Sequence, residues 1–342
     1  MQLAPILVTV YNRKKHFVEC IESLSRCRMA DQTHLFIASD AAKTEADEEA
    51  VKEIRNYCAE IKGFEKVELI SNEINLGIEE SYNNAIKIVF SEYDRLIFTE
   101  DDNVFSNNFL EFINNGLEYY KDNAKVFSIC GYTYPFKMPE NYIGDVFSSI
   151  YVSTWGFGVW KDKYLDVDFY PKHFEKSFGH KKMYSHSLTC VLYPVFVNND
   201  LYGDVLMQYH CLKNNMVNIY PKISLVQNHG FDGSGLNVGI HPMFNSQEIC
   251  SEKINFRFID DITIQPKIES RYIDEVNFPF KNTKEKIFLK MILKIKIIIR
   301  MVLYKTQFSK WPRFMRLVLL FMIKKSKVSS SSWYNRMLDN IK

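Results

Sequence analysis

Glu100-Asp101-Asp102 directly follows the apolar run Arg95–Thr99. Three adjacent carboxylates repel one another unless a cation or hydrogen-bond donors neutralise them. A divalent cation bridging to a diphosphate resolves the repulsion, because Mg2+ and Mn2+ take oxygen ligands and share one or two carboxylates with phosphates. The alternative is a solvated acidic turn. Placement separates the two, since an acidic group at the end of a buried strand, beside other polar strand ends, is where ligands bind in open α/β sheets.

Other residues carry chemistry of their own. Ser153–Trp160 (STWGFGVW) combines two glycines with three aromatics, and aromatic faces stack on the CH-rich faces of sugar rings. Trp160 reads as core packing. Asp204, at the start of a helix-like run, reads either as a cap or as a general base that takes the proton of an attacking hydroxyl. His229, in the glycine-rich turn His229–Gly235, is a candidate late metal ligand or diphosphate contact. His241 is a weaker candidate, and Asp232 rivals Asp204 as a base.

The elements that position these groups alternate along the first third of the chain. Strand patterns cover Leu3–Val10, His34–Ala38, Lys66–Ser71, Arg95–Thr99 and Val126–Cys130. Helical patterns cover Lys14–Arg26, Glu45–Ile61 and Ile78–Phe90, and a helix after Ser106, its expected cap, would bury Phe109, Leu110, Ile113 and Leu117. Such alternation predicts βαβ units and a mostly parallel sheet. Its strand ends would bring Tyr11-Asn12-Arg13, Asp40, Asn75-Leu76-Gly77 and the acidic triplet to one edge. Past residue 130 the pattern is irregular, with a loop over Gly131–Asp145, then Tyr151–Trp160, a variable stretch to about residue 200, a helix over Asp204–Lys213 and a strand over Val217–Val226.

With these residues in place, a resemblance emerges. ILVTVYNRKKHFVECIESL, the Ser39-Asp40 pair, SNEINLGIEESYNNAI and RLIFTEDDNVFSNNFLEF together resemble GT-A-fold glycosyltransferases. The type resembled is the bacterial family 2-like one with an EDD metal motif, related to the N-acetylglucosaminyltransferase I group, and the likeness runs from about residue 3 to residue 240. It implies a nucleoside-diphosphate sugar donor, a UDP-sugar, and Mn2+ or Mg2+. Tyr11, Asn12 and Arg13 would form the first nucleotide-contacting turn, and Asp40 would read the base. Asn75 and Gly77 would approach the diphosphate, Glu100 and Asp101 would face donor sugar and ribose, and Asp102 would hold the metal. Trp155, Gly156 and Phe157 would meet the sugars, and Asp204 would serve as base in an inverting transfer. A sugar-1-phosphate nucleotidyltransferase would instead need a glycine-rich loop after the first strand, which Tyr11-Asn12-Arg13 lacks. The third reading is a catalytically inactive saccharide-binding or scaffold protein.

Composition sets the bounds. The 342 residues are 46% hydrophobic and 25% charged, which excludes a disordered chain. Seven scattered cysteines without a C-x-x-C pair imply neither a disulfide framework nor a cysteine zinc site, and point to a reduced compartment. The net charge of +2 is unevenly spread. From Lys281 onward, 16 Lys and Arg face two acids, a net +14 that leaves −12 on the body, so the body does not look like a nucleic-acid binder. Lys284–Leu303 and Trp311–Lys327 intersperse cations with apolar residues, too many for a spanning helix but suited to a helix lying in an anionic membrane surface.

The expected organisation is therefore a GT-A domain over residues 1–275, with a nucleotide-sugar-binding half (1–130) and an acceptor-binding half (131–275). A basic amphipathic helical tail follows over 276–342. The expected protein is cytoplasmic and peripheral on the inner face of the cell membrane, since no secretory signal is evident at Met1–Val10. It would act on a saccharide acceptor, lipid-linked, with an oligomer possible.

Overall fold

The computed structural model describes residues 2–169, 203–233, 247–250 and 255–272. The basic tail, His241 and most of the variable stretch before residue 200 lie outside them. An eight-stranded sheet runs in the order β3 (Lys66–Ser71), β2 (His34–Ser39), β1 (Ile6–Val10), β4 (Arg95–Glu100), β8 (Phe157–Trp160), β6 (Val126–Cys130), β9 (Val217–Pro221), β7 (Val146–Ser149). Pairing is parallel from β3 to β4 and between β6 and β9, while β8 and β7 run against their neighbours.

Alternation along the strands decides the layers, because successive side chains point to opposite faces. In β1, Ile6, Val8 and Val10 pack in one core cluster and Leu7 in another. The first cluster takes Phe17, Cys20, Ile21 and Leu24 of α1 (Lys14–Ser25), Ile54 and Cys58 of α2 (Glu45–Cys58), and the inner face of α4 (Phe109–Tyr119). The second takes α3 (Ile78–Glu92), Tyr164 of α5 (Lys161–Leu165), and Met207 and Cys211 of α6 (Gly203–Asn214). A short helix α7 (Pro266–Tyr272) adds Tyr272, stacked on Tyr151 at 4.2 Å. The mostly parallel sheet flanked by helices is the expected architecture. No helix among the described residues is long and apolar enough to cross a membrane.

Two local expectations need correction, and two elements lay outside any expectation. Ser106 does not cap α4: its hydroxyl donates to Asn108 Oδ1 and to the Leu225 carbonyl, and Asn108 holds the cap position. The strand expected over Val217–Val226 breaks after Pro221, and its second part becomes β10 (Val226–Asn228), which pairs antiparallel with β5 (Asn103–Phe105) in a separate two-stranded sheet. Only the end of Tyr151–Trp160 is strand, since Gly156 takes a positive φ of 76° just before β8. β7 had no forecast, because Val146–Ser149 is too short and too uniformly buried for an alternating signal.

Candidate active site

The strand order places β1 between β2 and β4. The chain leaves β1 towards β2 and β3, then returns to the other side of β1 as β4, so the crevice beyond these carboxyl ends is a topological switch point. Thr9 pairs with Glu100 across it. The residues that follow each strand therefore meet there: Arg13 from β1, and Asp101 and Asp102 from β4.

The Arg13 guanidinium bonds Asp101 Oδ1 and lies 2.9 Å from Asp102 Oδ2. Asp101 and Asp102 are only 4% and 6% exposed. Burial works against the charge of Arg13, but the two carboxylates outweigh it and raise the guanidinium pKa. Burial, aided by Asp102 and Asp101, pushes the Glu100 carboxyl up to about 8, with Arg13 opposing. Burial likewise pushes Asp101 up to about 6 against the pull of Arg13. One guanidinium thus leaves the triplet short of positive charge.

Asp102 is held by Asn228 and by the start of the glycine-rich turn that follows it. Asn228 Nδ2 donates to Asp102 Oδ1 at 3.1 Å and to Asn103 Oδ1 at 3.0 Å. Asn228 Oδ1 accepts from Gly230 N–H at 2.8 Å, which draws the turn tight enough that a Cβ at residue 230 would collide with the Asp102 carboxylate. His229 reaches Asp102 through backbone, its N–H donating to the Asp102 carbonyl at 2.8 Å. Its ring faces α1 instead, with Nδ1 3.3 Å from Glu19 Oε2, and His16 on the same helix lies 3.1 Å from Asp232 Oδ2. Asp232 is exposed on the rim. No local signal gives these roles to Asn228, His16 and Glu19, since Asp102, Asp232 and His229 lie more than a hundred residues from them in the chain.

On the other side of the crevice, Asp40 is 7% exposed and its carboxylate is heavily used. Oδ1 accepts from the N–H groups of Ala41 and Leu76 and from Asn72 Nδ2, each at 3.0 Å, and Oδ2 accepts from Gly77 N–H at 2.8 Å. Asp40 thereby holds the turn that carries Asn75 and Gly77, and Asn75 Nδ2 closes it onto the Ala41 carbonyl at 2.7 Å. Tyr11 and Asn12 tie into the start of α2: the Tyr11 hydroxyl accepts from Lys43 N–H at 2.7 Å, and Asn12 Nδ2 donates to Asp47 Oδ1 at 2.8 Å. All three expected donor-side strand ends thus lie along one edge with the acidic triplet.

The acceptor-side expectations divide. Asp204 lies in the first turn of α6, where its Oδ1 accepts from Val205 N–H at 2.9 Å. Burial pushes this carboxyl up, against that hydrogen bond. Its charge helps to raise both Glu100, at the acidic triplet, and Tyr134, in an aromatic group. In that group Trp155 meets Tyr132 at 4.7 Å, Tyr134 at 5.8 Å and Phe231 at 5.5 Å, and remains half-buried. Phe157 and Gly156 are not contacts for a sugar. Phe157 is 0% exposed in β8 with its ring against Phe98, and Gly156 is buried, its carbonyl accepting from Gly131 N–H at 2.7 Å. Both glycines of the stretch serve packing: a Cβ at residue 156 would press on Phe105, Phe109 and Val226, and one at 158 would strike Ile113 of α4. Trp160 is buried, as expected.

Among the described residues, no three His, Cys, Asp or Glu side chains form a set able to hold a metal by themselves. The donor chemistry nevertheless fits a hard cation shared with a ligand. Asp101 and Asp102 offer carboxylate oxygens, and Mg2+-type ions are held by one or two carboxylates with the rest of the shell from water and phosphate.

The structure resembles that of S. aureus TarS at 14% identity, covering 66% of this chain and 36% of that one, with a TM-score of 0.38. It also resembles TarS 1-349 (11% identity, 67% and 60% covered, TM-score 0.39) and the mannosyltransferase PcManGT from Pyrobaculum calidifontis in complex with GDP-Man and Mn2+ (11%, 56% and 52%, 0.33). The chain thus spans between about a third and three fifths of these structures. No curated protein matches its sequence. Residues 6–185, more than half of the 342, match Glycosyl transferase family 2 and take in β1, the Asp40 turn, the acidic triplet and the Trp155 stretch. The chain belongs to glycosyl transferase family 2.

Proposed function

We propose that the protein transfers a sugar from a nucleoside-diphosphate donor, a UDP-sugar, to a saccharide acceptor, with inversion at the anomeric carbon. The reading rests on family membership and, within the site, on one observation: Arg13 meets the buried Asp101 and Asp102 at the switch point beyond β1 and β4. On this reading the EDD triplet is the donor site of a glycosyltransferase related to the N-acetylglucosaminyltransferase I group. Arg13 and the Asn75–Gly77 turn meet the diphosphate. Tyr11 and Asn12 border the nucleoside, and Asp40 acts on it by holding that turn.

Asp204 accepts the proton of the acceptor hydroxyl as its oxygen attacks the anomeric carbon, while the bond from that carbon to the diphosphate oxygen breaks. A raised carboxyl pKa makes Asp204 a better proton acceptor than an exposed aspartate. Trp155 offers its half-buried ring to the acceptor, and the surrounding aromatics keep water from the reacting carbon. Asp102, with Asp101 beside it, would hold Mn2+ or Mg2+, which neutralises charge on the leaving diphosphate when bound. The charge of residues 281–342 supports docking on an anionic cytoplasmic membrane surface, where a lipid-linked acceptor would lie.

Thermal-shift screening of nucleotide sugars with Mn2+ tests the donor class. A true donor at about 100 times its Kd adds about 2.7 kcal/mol to stability. UDP-sugars should raise the melting temperature and other nucleotide sugars should not; no shift with any of them would contradict the reading.

A further inference from the structure

Arg13 sits where a cation is wanted. It is the first residue past the β1 turn, directly before α1, and among the described residues it alone forms ion pairs with both buried aspartates of the triplet. Asp102 Oδ1 is taken by Asn228, so the oxygen that faces Arg13, Oδ2, is the one left for a second partner. Gly230 closes the far side of that same oxygen, since a Cβ there would collide with it. An incoming divalent ion and the Arg13 guanidinium therefore compete for Asp102 Oδ2 and Asp101 Oδ1. The guanidinium is also the group best shaped to follow a diphosphate, because its planar fork binds phosphate oxygens in pairs.

We propose that Arg13 is a built-in counter-ion that occupies the Asp101–Asp102 pair until a nucleoside diphosphate draws it away, so that cation and nucleotide bind as a coupled pair. The inference rests on reading the triplet as the donor site. It adds an order to that site: without nucleotide the pocket is already neutralised in part and holds the metal poorly. With nucleotide, Arg13 moves to the phosphates and frees the carboxylates. Linkage makes the effect reciprocal, so the metal must strengthen nucleotide binding by the same factor.

The test is Mn2+ binding to the full chain without nucleotide, read from the loss of the free-ion electron paramagnetic resonance signal. Arg13→Gln removes the competing charge, so this variant should bind Mn2+ at least tenfold more tightly than the wild type. Arg13→Lys keeps a charge near the pair and should stay within about threefold of the wild type. Mn2+ affinity of Arg13→Gln equal to or weaker than wild type would overturn the inference, as would an Arg13→Lys variant as tight as Arg13→Gln. If Arg13→Gln does not fold, Arg13→Met, which removes the charge and keeps the length of the stem, takes its place: Mn2+ binding at least tenfold tighter than wild type supports the inference, and binding equal or weaker overturns it. Wild-type protein that binds neither Mn2+ nor UDP when both are present contradicts the donor-site reading itself.

Discussion

Arg13 Nη2 lies 2.9 Å from Asp102 Oδ2, joining the turn after β1 to the turn after β4 across the point where the chain reverses its course through the sheet. Eighty-eight residues separate Arg13 from Asp101, its other partner, yet the two follow neighbouring parallel strands, β1 and β4, so the contact follows from topology. The same geometry sets Asp204 within electrostatic reach of Glu100.

Asp204→Asn keeps the side-chain volume and the acceptor oxygen for Val205 N–H but removes the base. Transfer should fall by about 10²- to 10⁴-fold, the usual contribution of a positioned base. Donor affinity, measured by titration with the nucleotide sugar, should not change. Transfer within a factor of a few of wild type would remove Asp204 from the mechanism.

Arg55 of α2 binds the carboxyl ends of two strands at once. Its Nη2 donates to the carbonyls of Ser39 and Asp40, each at 3.2 Å, and of Asn72 at 2.9 Å, and its Nε to the Ser39 hydroxyl at 3.2 Å. Those residues carry the Asp40 side chain to the Leu76 and Gly77 amides. Lysine lacks the fork that makes several bonds at once. Arg55→Lys should therefore raise the donor KM about tenfold, a change of about 1.4 kcal/mol, while acceptor KM stays level. Equal effects on both substrates would indicate general loss of structure instead.

Gly77 begins α3 at φ 81° and ψ 164°, a region open only to glycine, and a Cβ there would meet nothing within 4 Å. Any side chain would pay for backbone geometry alone. Gly77→Ala should cost roughly 1–3 kcal/mol in urea unfolding, without a change in the denaturant slope. An unchanged midpoint would mean that the turn relaxes freely.

How much of this was legible beforehand depends on how local each cause is. The inward faces of α1 and α4 follow from helical spacing, and Phe17, Cys20, Leu24, Phe109, Ile113 and Leu117 are all buried as that spacing requires. The gathering of Tyr11–Arg13, Asp40, Gly77 and the triplet was legible because strand ends on one edge follow from βαβ alternation. Asn228 and Arg55 were not, since each acts through partners brought close only by the finished fold. Phe157 was misjudged for the same kind of reason. Its neighbours suggested a sugar platform, but β8 is inserted between β4 and β6, which buries it entirely.

Lys163 gives a prediction away from the active site. Its ammonium donates to the carbonyls of Asn123 at 3.0 Å and Val126 at 2.6 Å and lies 3.7 Å from the Trp160 ring centre. Burial pushes its pKa down to about 8 from an ordinary 10.5. Below pH 8 both folded and unfolded chains hold the proton, and the folded chain bears the full cost of the buried cation. Between pH 8 and 10.5 the folded chain sheds it first, so the unfolded state binds more protons and stability rises with pH. Lys163→Met removes this dependence. The wild type should gain on the variant in urea midpoint from pH 7.5 to pH 10, and a constant difference would show that Lys163 keeps an ordinary pKa.

The central claim, that the Asp101–Asp102 pair is where the donor diphosphate is turned over, is tested most directly by Asp102→Asn. Nucleoside diphosphate release from the nucleotide sugar should be followed with Mn2+ and acceptor present, on protein shown by its melting curve to be folded. The account predicts a fall of at least about 100-fold, the scale at which losing one transition-state charge contact is felt. Release at the wild-type rate would contradict it.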